Sequence, residues 1–461
     1  MPRTADLVIV SNRLPVHRVG RGASARWEIS PGGLVSALTP ILKERRGGVW
    51  VGWSGIAGSA PEPFELDEIH NVPVGLSRSE VEDYYHGFSN RTLWPLYHDA
   101  VRTPQYHRHW WRPYLSVNRR FAEAAARNAA KGALVWVHDY HLQLVPAMLR
   151  KRRPDLRIGF FLHIPFPPQE LFAQIPWRRP ILEGMLGADV LGFQTKNGAR
   201  NFCELANRYT DAERRGRALT VDGRDVEVSE FPVSIDYALH AELAARESVQ
   251  RRAEALRRQL GHPTKILVGV DRLDYTKGID TRLRAWQEVL ASGRASPDET
   301  VFVQLAVPSR EEVEEYVELR SRVEQLVGRI NGEHASLGAS AVHYLHRSVS
   351  LEELVALYVA GDVMVVTPLR DGMNLVAKEF VACRLDGDGV LILSEFTGSS
   401  IELKNATVVN PHDIDALADT MHEALQMPID EQRRRMRSLQ RVVRRNDVFR
   451  WANRFMEALG S

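Results

Sequence analysis

The 461-residue chain reads as an α/β protein with two doubly wound parallel sheets, and three observations predict this. Short apolar runs rich in β-branched residues recur along it. They are apolar nearly throughout, as strands covered on both faces are, instead of alternating. Helical patterns lie between the runs, and strand, helix, strand is the order of an α/β fold. The series then pauses over residues 211–262 and resumes, which divides it into two sheets.

The first series comprises LVIVS (7–11), ALVWVHD (133–139), RIGFFLH (157–163) and DVLGFQ (189–194). The second comprises KILVGVD (265–271), TVFVQLAV (300–307), VMVVT (363–367), VLILS (390–394) and ATVVN (406–410). Between two of these, residues 310–330 place Val313, Val317, Val323, Leu326 and Ile330 mostly on one helical face. The pause holds short strands, turn signals and an Arg-rich helix, so the domain boundary is expected around 232–262. This predicts a first domain over 1–240, a second over 241–445, and a final helix over 446–461. In that helix Val448, Trp451, Phe455 and Leu459 recur at helical spacing. Its apolar face must dock, either on the second domain or back across the first. Ligands of such sheets bind beyond the carboxyl ends of the strands, so a cleft between two such domains is the expected site.

Composition narrows the class. Charged residues make up 26% and hydrophobic residues 44%, and the net charge is +2. A dedicated nucleic-acid binder would carry a stronger basic excess. Two cysteines, Cys203 and Cys383, are too few for a disulfide framework and point to a reducing compartment. The apolar run at Leu7–Val10 is short for a signal peptide, and no stretch reaches the length of a membrane span. A cytoplasmic protein is expected, with no nucleic-acid or membrane partner.

Polar residues cluster where strands end. In TPLRDGMNLVAKEF (367–380), backbone N–H groups from Gly372 to Leu375 precede a helix, where anions and hydroxyl oxygens are favoured. Asp371 can accept sugar hydroxyl protons there. Glu379 lies two turns beyond Gly372 on the same side and suits a ribose diol. A capped helix with a solvated charge pair fits this stretch equally well. In VGVDRLDYTKGID (268–280), Arg272 and Lys277 read as a diphosphate clamp, against a surface ion network. No Walker loop is present. His163, at the end of a buried strand, is a candidate acid, base or donor, although such a histidine is more often structural. His138, Asp139 and His141 match no strong zinc spacing. Asp139 is the better candidate, as a hydroxyl acceptor. Near the N-terminus, Arg13 follows a strand, and Gly32 and Gly33 let backbone approach a ligand. Tyr85 and Trp94 are candidate walls for a sugar ring, or core. Arg310 follows a strand as Arg272 does, and serves either an anion or its own helix.

Nine motifs in order carry a resemblance: SNRLPV, PGGL, GWSG, YY..FSN..LWP, HDYHL, FFLHIPFP, RLDY-x-KG, GRINGE and TPLRDGMNLVAKE. From about residue 7 to 455 the chain resembles the trehalose-6-phosphate synthase family. These are retaining glycosyltransferases of family 20 with the GT-B fold, two Rossmann-like domains facing across a cleft. The resemblance implies that the first domain takes glucose 6-phosphate and the second a nucleoside diphosphate glucose, UDP-glucose or GDP-glucose. Arg272 and Lys277 would hold the donor diphosphate. Asp371, Gly372, Met373, Asn374, Leu375 and Val376 would hold the donor glucose, with His163 also touching it. Glu379 would take the ribose, and the base would rest near Leu305 and Val349. Arg13, Tyr85 and Arg310 would bind the acceptor phosphate. Gly33, Trp94 and Asp139 would frame the acceptor sugar, Gly33 also bordering the donor, with Trp53 close by.

It further implies no cofactor and no metal, because Arg272 and Lys277 replace the ion that neutralises the leaving group elsewhere. A homo-oligomer, dimer or tetramer, is compatible with it. The alternatives are a synthase with another phosphorylated acceptor, such as glycerol 3-phosphate, or a catalytically silent regulator. A nucleotide-binding oxidoreductase would need G-x-G-x-x-G after the first strand, which is absent.

Overall fold

The computed structural model describes residues 4–19, 26–29, 35, 38–39, 41–42, 48–216, 218–311 and 313–460. The chain forms two compact units, one from residues 1–233 with 449–461 and one from residues 234–448.

The first unit is built on a ten-stranded sheet. Strand Ala5–Arg13 lies between Val49–Trp53 and Ala129–His138, parallel to both. Arg157–Phe161, Val190–Phe193 and Arg224–Glu230 follow in parallel beyond Ala129–His138. The chain therefore winds outward in opposite directions from the junction of Ala5–Arg13 and Ala129–His138. That junction is the topological switch point, where ligands of such sheets bind beyond the carboxyl ends of the strands. The strands here are almost wholly buried, which explains why their sequences are apolar throughout.

The second unit carries six parallel strands in the order Val342–Leu345, Thr300–Val307, Lys265–Arg272, Val363–Val366, Val390–Ser394, Thr407–Val409. Its switch point lies between Lys265–Arg272 and Val363–Val366. Both loops singled out in the sequence, 272–278 and 367–375, leave the sheet at that point.

The helix expected over 310–330 runs from Glu314 to His334. Tyr316 and Leu319 join Val323, Leu326 and Ile330 on its buried side, while Val317 is 54% exposed. The stretch around DYYHGFSN forms a π-helix, Val81–Leu93, that the spacing of its apolar residues does not announce.

The last helix, Val448–Gly460, packs its aromatic face on the first sheet. Phe455 stacks on Trp136 at 4.3 Å, and Trp451 packs on Trp136 and Phe161. Gly159 and Gly192 make this seat: a Cβ on either would stand 2.6–2.7 Å from the Phe455 ring. Cys203 and Cys383 are buried and free. Among the described residues no helix is long and apolar enough to cross a membrane.

Candidate active site

In the second unit the switch-point loops are tied to each other by hydrogen bonds. The Leu369 N–H donates to the Thr276 carbonyl at 2.8 Å, and the Thr367 hydroxyl donates to the Gly278 carbonyl at 3.1 Å. Gly278 needs to be glycine, because its φ is +60° and a Cβ would lie 2.3 Å from the Thr367 oxygen. Lys277, turned inward by this loop, places Nζ 2.6 Å from Asp371 Oδ2. Asn374 donates to the same oxygen at 3.3 Å while its own Oδ1 accepts from the Ala377 N–H, capping helix Leu375–Cys383. The Asn374 N–H is taken by Ser399 Oγ at 2.9 Å. The loop therefore presents a cation, a carboxylate and a helix start together, a set suited to a phosphate ester that also carries hydroxyls.

Arg272 ends its strand exposed, beside Asp274. Glu379 accepts a hydrogen bond from Tyr358 Oη at 2.8 Å, which fixes the carboxylate on the helix. Leu305 is buried in its strand, and Val349, Leu375 and Val376 are partly buried against the same core. Met373 is buried. Arg310 adopts φ +49° and pairs with Asp274 at 3.1 Å and with the Tyr316 hydroxyl. The Arg310 guanidinium is thus held by a buried carboxylate.

Two features of this unit escaped the sequence reading. Arg282 is fully buried, forms an ion pair with Asp271 at 2.6 Å, and donates to the Lys277 carbonyl at 2.9 Å and to Thr367 Oγ1 at 2.9 Å. It joins the strand end and both loops through one guanidinium. The available signal was its position: Ile279, Arg282, Leu283 and Trp286 form one apolar helical face, and an arginine there must have buried partners. Asp274 is the second. Burial pushes its pKa up, but Arg310, Arg272 and Lys277 outweigh burial and hold it at about 2.

An aspartate free of such partners titrates near 3.9, so folding lowers this pKa. The stabilisation is therefore complete above about pH 4 and lost as pH falls towards 2. Between pH 5 and pH 3 the wild type should lose about 1 kcal/mol more stability than Asp274→Asn in urea titrations. A gap that stays constant over that range would contradict the assignment.

In the first unit, Arg13 lies over the Trp53 ring at 4.8 Å. Gly55, at φ +88°, accommodates it, since a Cβ there would stand 2.3 Å from the guanidinium carbon. Trp53 meets Tyr85 edge-on at 5.7 Å, and Tyr85 stacks on His141 at 5.8 Å. Arg13, Trp53 and Tyr85 are thus one group at the end of the first strand. Trp94 is buried against Tyr140 and His98. Asp139 has the left-handed φ of +74°, and its Oδ1 accepts the His163 N–H at 3.2 Å. With ψ 167° this backbone lies in a region essentially reserved for glycine, and strain of this kind collects at functional loops. His163 Nε2 lies 3.2 Å from His138 Nδ1. Burial lowers the His163 pKa to about 3, so its ring is neutral near pH 7. Gly33 lies outside the described residues.

Residues 5–461 match the profile of glycosyltransferase family 20. The trehalose-6-phosphate synthase of Mycobacterium avium (strain 104) is 55% identical over 99% of this chain and 95% of its own length. Among solved structures, an alpha,alpha-trehalose-phosphate synthase (UDP-forming) from Burkholderia xenovorans in complex with glucose-6-phosphate is 36% identical. It covers 99% of this chain and all of its own, with a TM-score of 0.89. An E. coli structure described as trehalose-6-phosphate bound with UDP-2-fluoro glucose is 34% identical over 98% of both chains, with a TM-score of 0.90. Matched over nearly its whole length in sequence and in fold, the chain belongs to glycosyltransferase family 20 and is an enzyme of the trehalose-6-phosphate synthase family.

Proposed function

We propose that this enzyme transfers glucose from a nucleoside diphosphate glucose, UDP-glucose or GDP-glucose, to the anomeric hydroxyl of glucose 6-phosphate. The products are trehalose 6-phosphate and the nucleoside diphosphate, with retention at the donor carbon. The observation that carries this reading is the 55% identity to a trehalose-6-phosphate synthase along 99% of the chain. The relatives solved with glucose-6-phosphate and with UDP-2-fluoro glucose hold ligands of the two kinds it assigns.

The geometry supplies a chemistry for it. Arg272 and Lys277 face the donor diphosphate and stabilise the charge that develops as the bond from glucose C1 to the phosphate oxygen breaks. Asp371, held by Lys277 and Asn374, orients the glucose hydroxyls. Retaining hydrolases use a carboxylate nucleophile at this stage. Here the departing phosphate oxygen instead takes the proton from the acceptor hydroxyl, and the new C1–O bond forms on the face it leaves. His163 touches the donor glucose. Glu379, aligned by Tyr358, takes the ribose. Arg13, Tyr85 and Arg310 hold the acceptor phosphate, and Trp53, Trp94, Asp139 and Gly33 surround the acceptor sugar. No metal ion is required.

The test is product analysis. UDP-glucose, GDP-glucose and ADP-glucose are each incubated with the enzyme and glucose 6-phosphate, and the sugar phosphate formed is examined by proton NMR. Two α-type anomeric signals of a 1,1-linked disaccharide phosphate are expected, with the fastest donor naming the base. A β-type anomeric signal would overturn retention. Transfer to glycerol 3-phosphate in preference to glucose 6-phosphate would overturn the acceptor.

A further inference from the structure

We infer that His138 is a positioning residue that sets which ring nitrogen of His163 carries the proton, making His163 a hydrogen-bond donor through Nδ1. The inference rests on the reading of His163 as a contact of the donor sugar.

The two rings lie on the ends of adjacent parallel strand segments. His138 pairs with Phe161 in the sheet, and His163 follows two residues later. His138 Nδ1 and His163 Nε2 are 3.2 Å apart, and the rings lie 28° from parallel. A neutral imidazole has one proton, so one ring donates and the other accepts. His138 decides which. Its Nε2 is buried and has no hydrogen-bond partner among the described residues. A proton placed there would be a buried orphan N–H, the rarer and costlier defect. The proton therefore sits on Nδ1 and is donated to His163 Nε2. That nitrogen accepts, so the single His163 proton is on Nδ1.

The rest of His163 is fixed as well. Its N–H is bound by Asp139 at 3.2 Å, and its carbonyl accepts from Gln194 Nε2 at 3.2 Å. Phe161 stands edge-on to its ring at 4.7 Å, and Trp451 lies 6.2 Å away. Nδ1 is the ring nitrogen that no described residue bonds. Burial lowers the pKa of both rings, His138 well below the ordinary value, so neither gains a second proton near pH 7. His163 thus meets a sugar oxygen as a neutral donor and takes no proton from it.

The test is the tautomer, read without substrate. The full-length enzyme labelled with ¹⁵N-histidine is studied by two-bond ¹H–¹⁵N correlation, with signals assigned from His138→Asn and His163→Asn. His163 is expected protonated at Nδ1. His138→Leu removes the donor and should shift His163 towards the Nε2–H form and lower kcat/KM about 10-fold or more. His138→Asn, whose amide nitrogen stands near the Nδ1 position, should keep the tautomer and recover most of that loss. A wild-type His163 protonated at Nε2 would overturn the inference even if His138→Leu fails to fold. So would a His138→Leu enzyme with unchanged spectrum and rates. Absence of any glucosyl transfer would instead sink the proposed function and leave the tautomer result standing.

Discussion

Replacing Lys277 with methionine is expected to lower kcat/KM by about 10²–10³-fold, the loss typical when one preorganised charge facing a developing anion is removed. The Lys277 side chain is 10% exposed and its ammonium is bonded to Asp371 at 2.6 Å, so its position is set before any ligand arrives. The variant also leaves Asp371 without its cation. A bare carboxylate beside a diphosphate is repulsive, so donor binding should weaken together with turnover. Lys277→Arg should rescue little, because a planar guanidinium cannot take the place of a compact ammonium at this distance from Asp371. Steady-state kinetics with calorimetric titration of the nucleoside diphosphate checks both effects. Wild-type donor affinity and rate in Lys277→Met would remove Lys277 from the site.

The second large effect concerns folding. Arg282→Met should destabilise the enzyme by about 3–5 kcal/mol, the range for stripping one partner from a buried ion pair. Asp271 is then buried without its partner, and the Lys277 carbonyl and Thr367 hydroxyl each lose a hydrogen-bond donor or partner. Adding Asp271→Asn should restore part of the loss, since the uncompensated charge disappears. The double variant should remain slow, because the Lys277 carbonyl and the Thr367 hydroxyl still lack the guanidinium that joined them. Denaturant titration of both variants, read beside their rates, makes the check. A loss below 1 kcal/mol in Arg282→Met would contradict the role drawn for it.

Much of this fold could be read from residues. The buried strands are apolar from end to end, and that pattern has few other meanings. The two charged loops were visible because polar residues directly follow such strands. Other parts were hidden for physical reasons. Trp451 and Phe455 declare an apolar helical face but not the surface it covers, and Gly159 and Gly192, which make room for Phe455, are spaced far from it in sequence. The His138–His163 pair joins residues 25 apart through neighbouring strands, and neither residue alone distinguishes a structural histidine from a positioned one. Arg310 read as serving either an anion or its own helix, and its pairing with Asp274 and Tyr316, on a loop with φ +49°, could not be read from either alternative. Arg282 carries a legible signal of its own, a charge on the apolar side of its helix.

The most direct measurement is nucleoside diphosphate release from UDP-glucose, GDP-glucose and ADP-glucose in EDTA, with and without glucose 6-phosphate. The account predicts release that depends on glucose 6-phosphate and proceeds at full rate in the chelator. Acceptor-dependent release that disappears in EDTA and returns with magnesium would contradict the role given to Arg272 and Lys277. Release from no donor, with or without the acceptor, would contradict the glucosyl transfer itself.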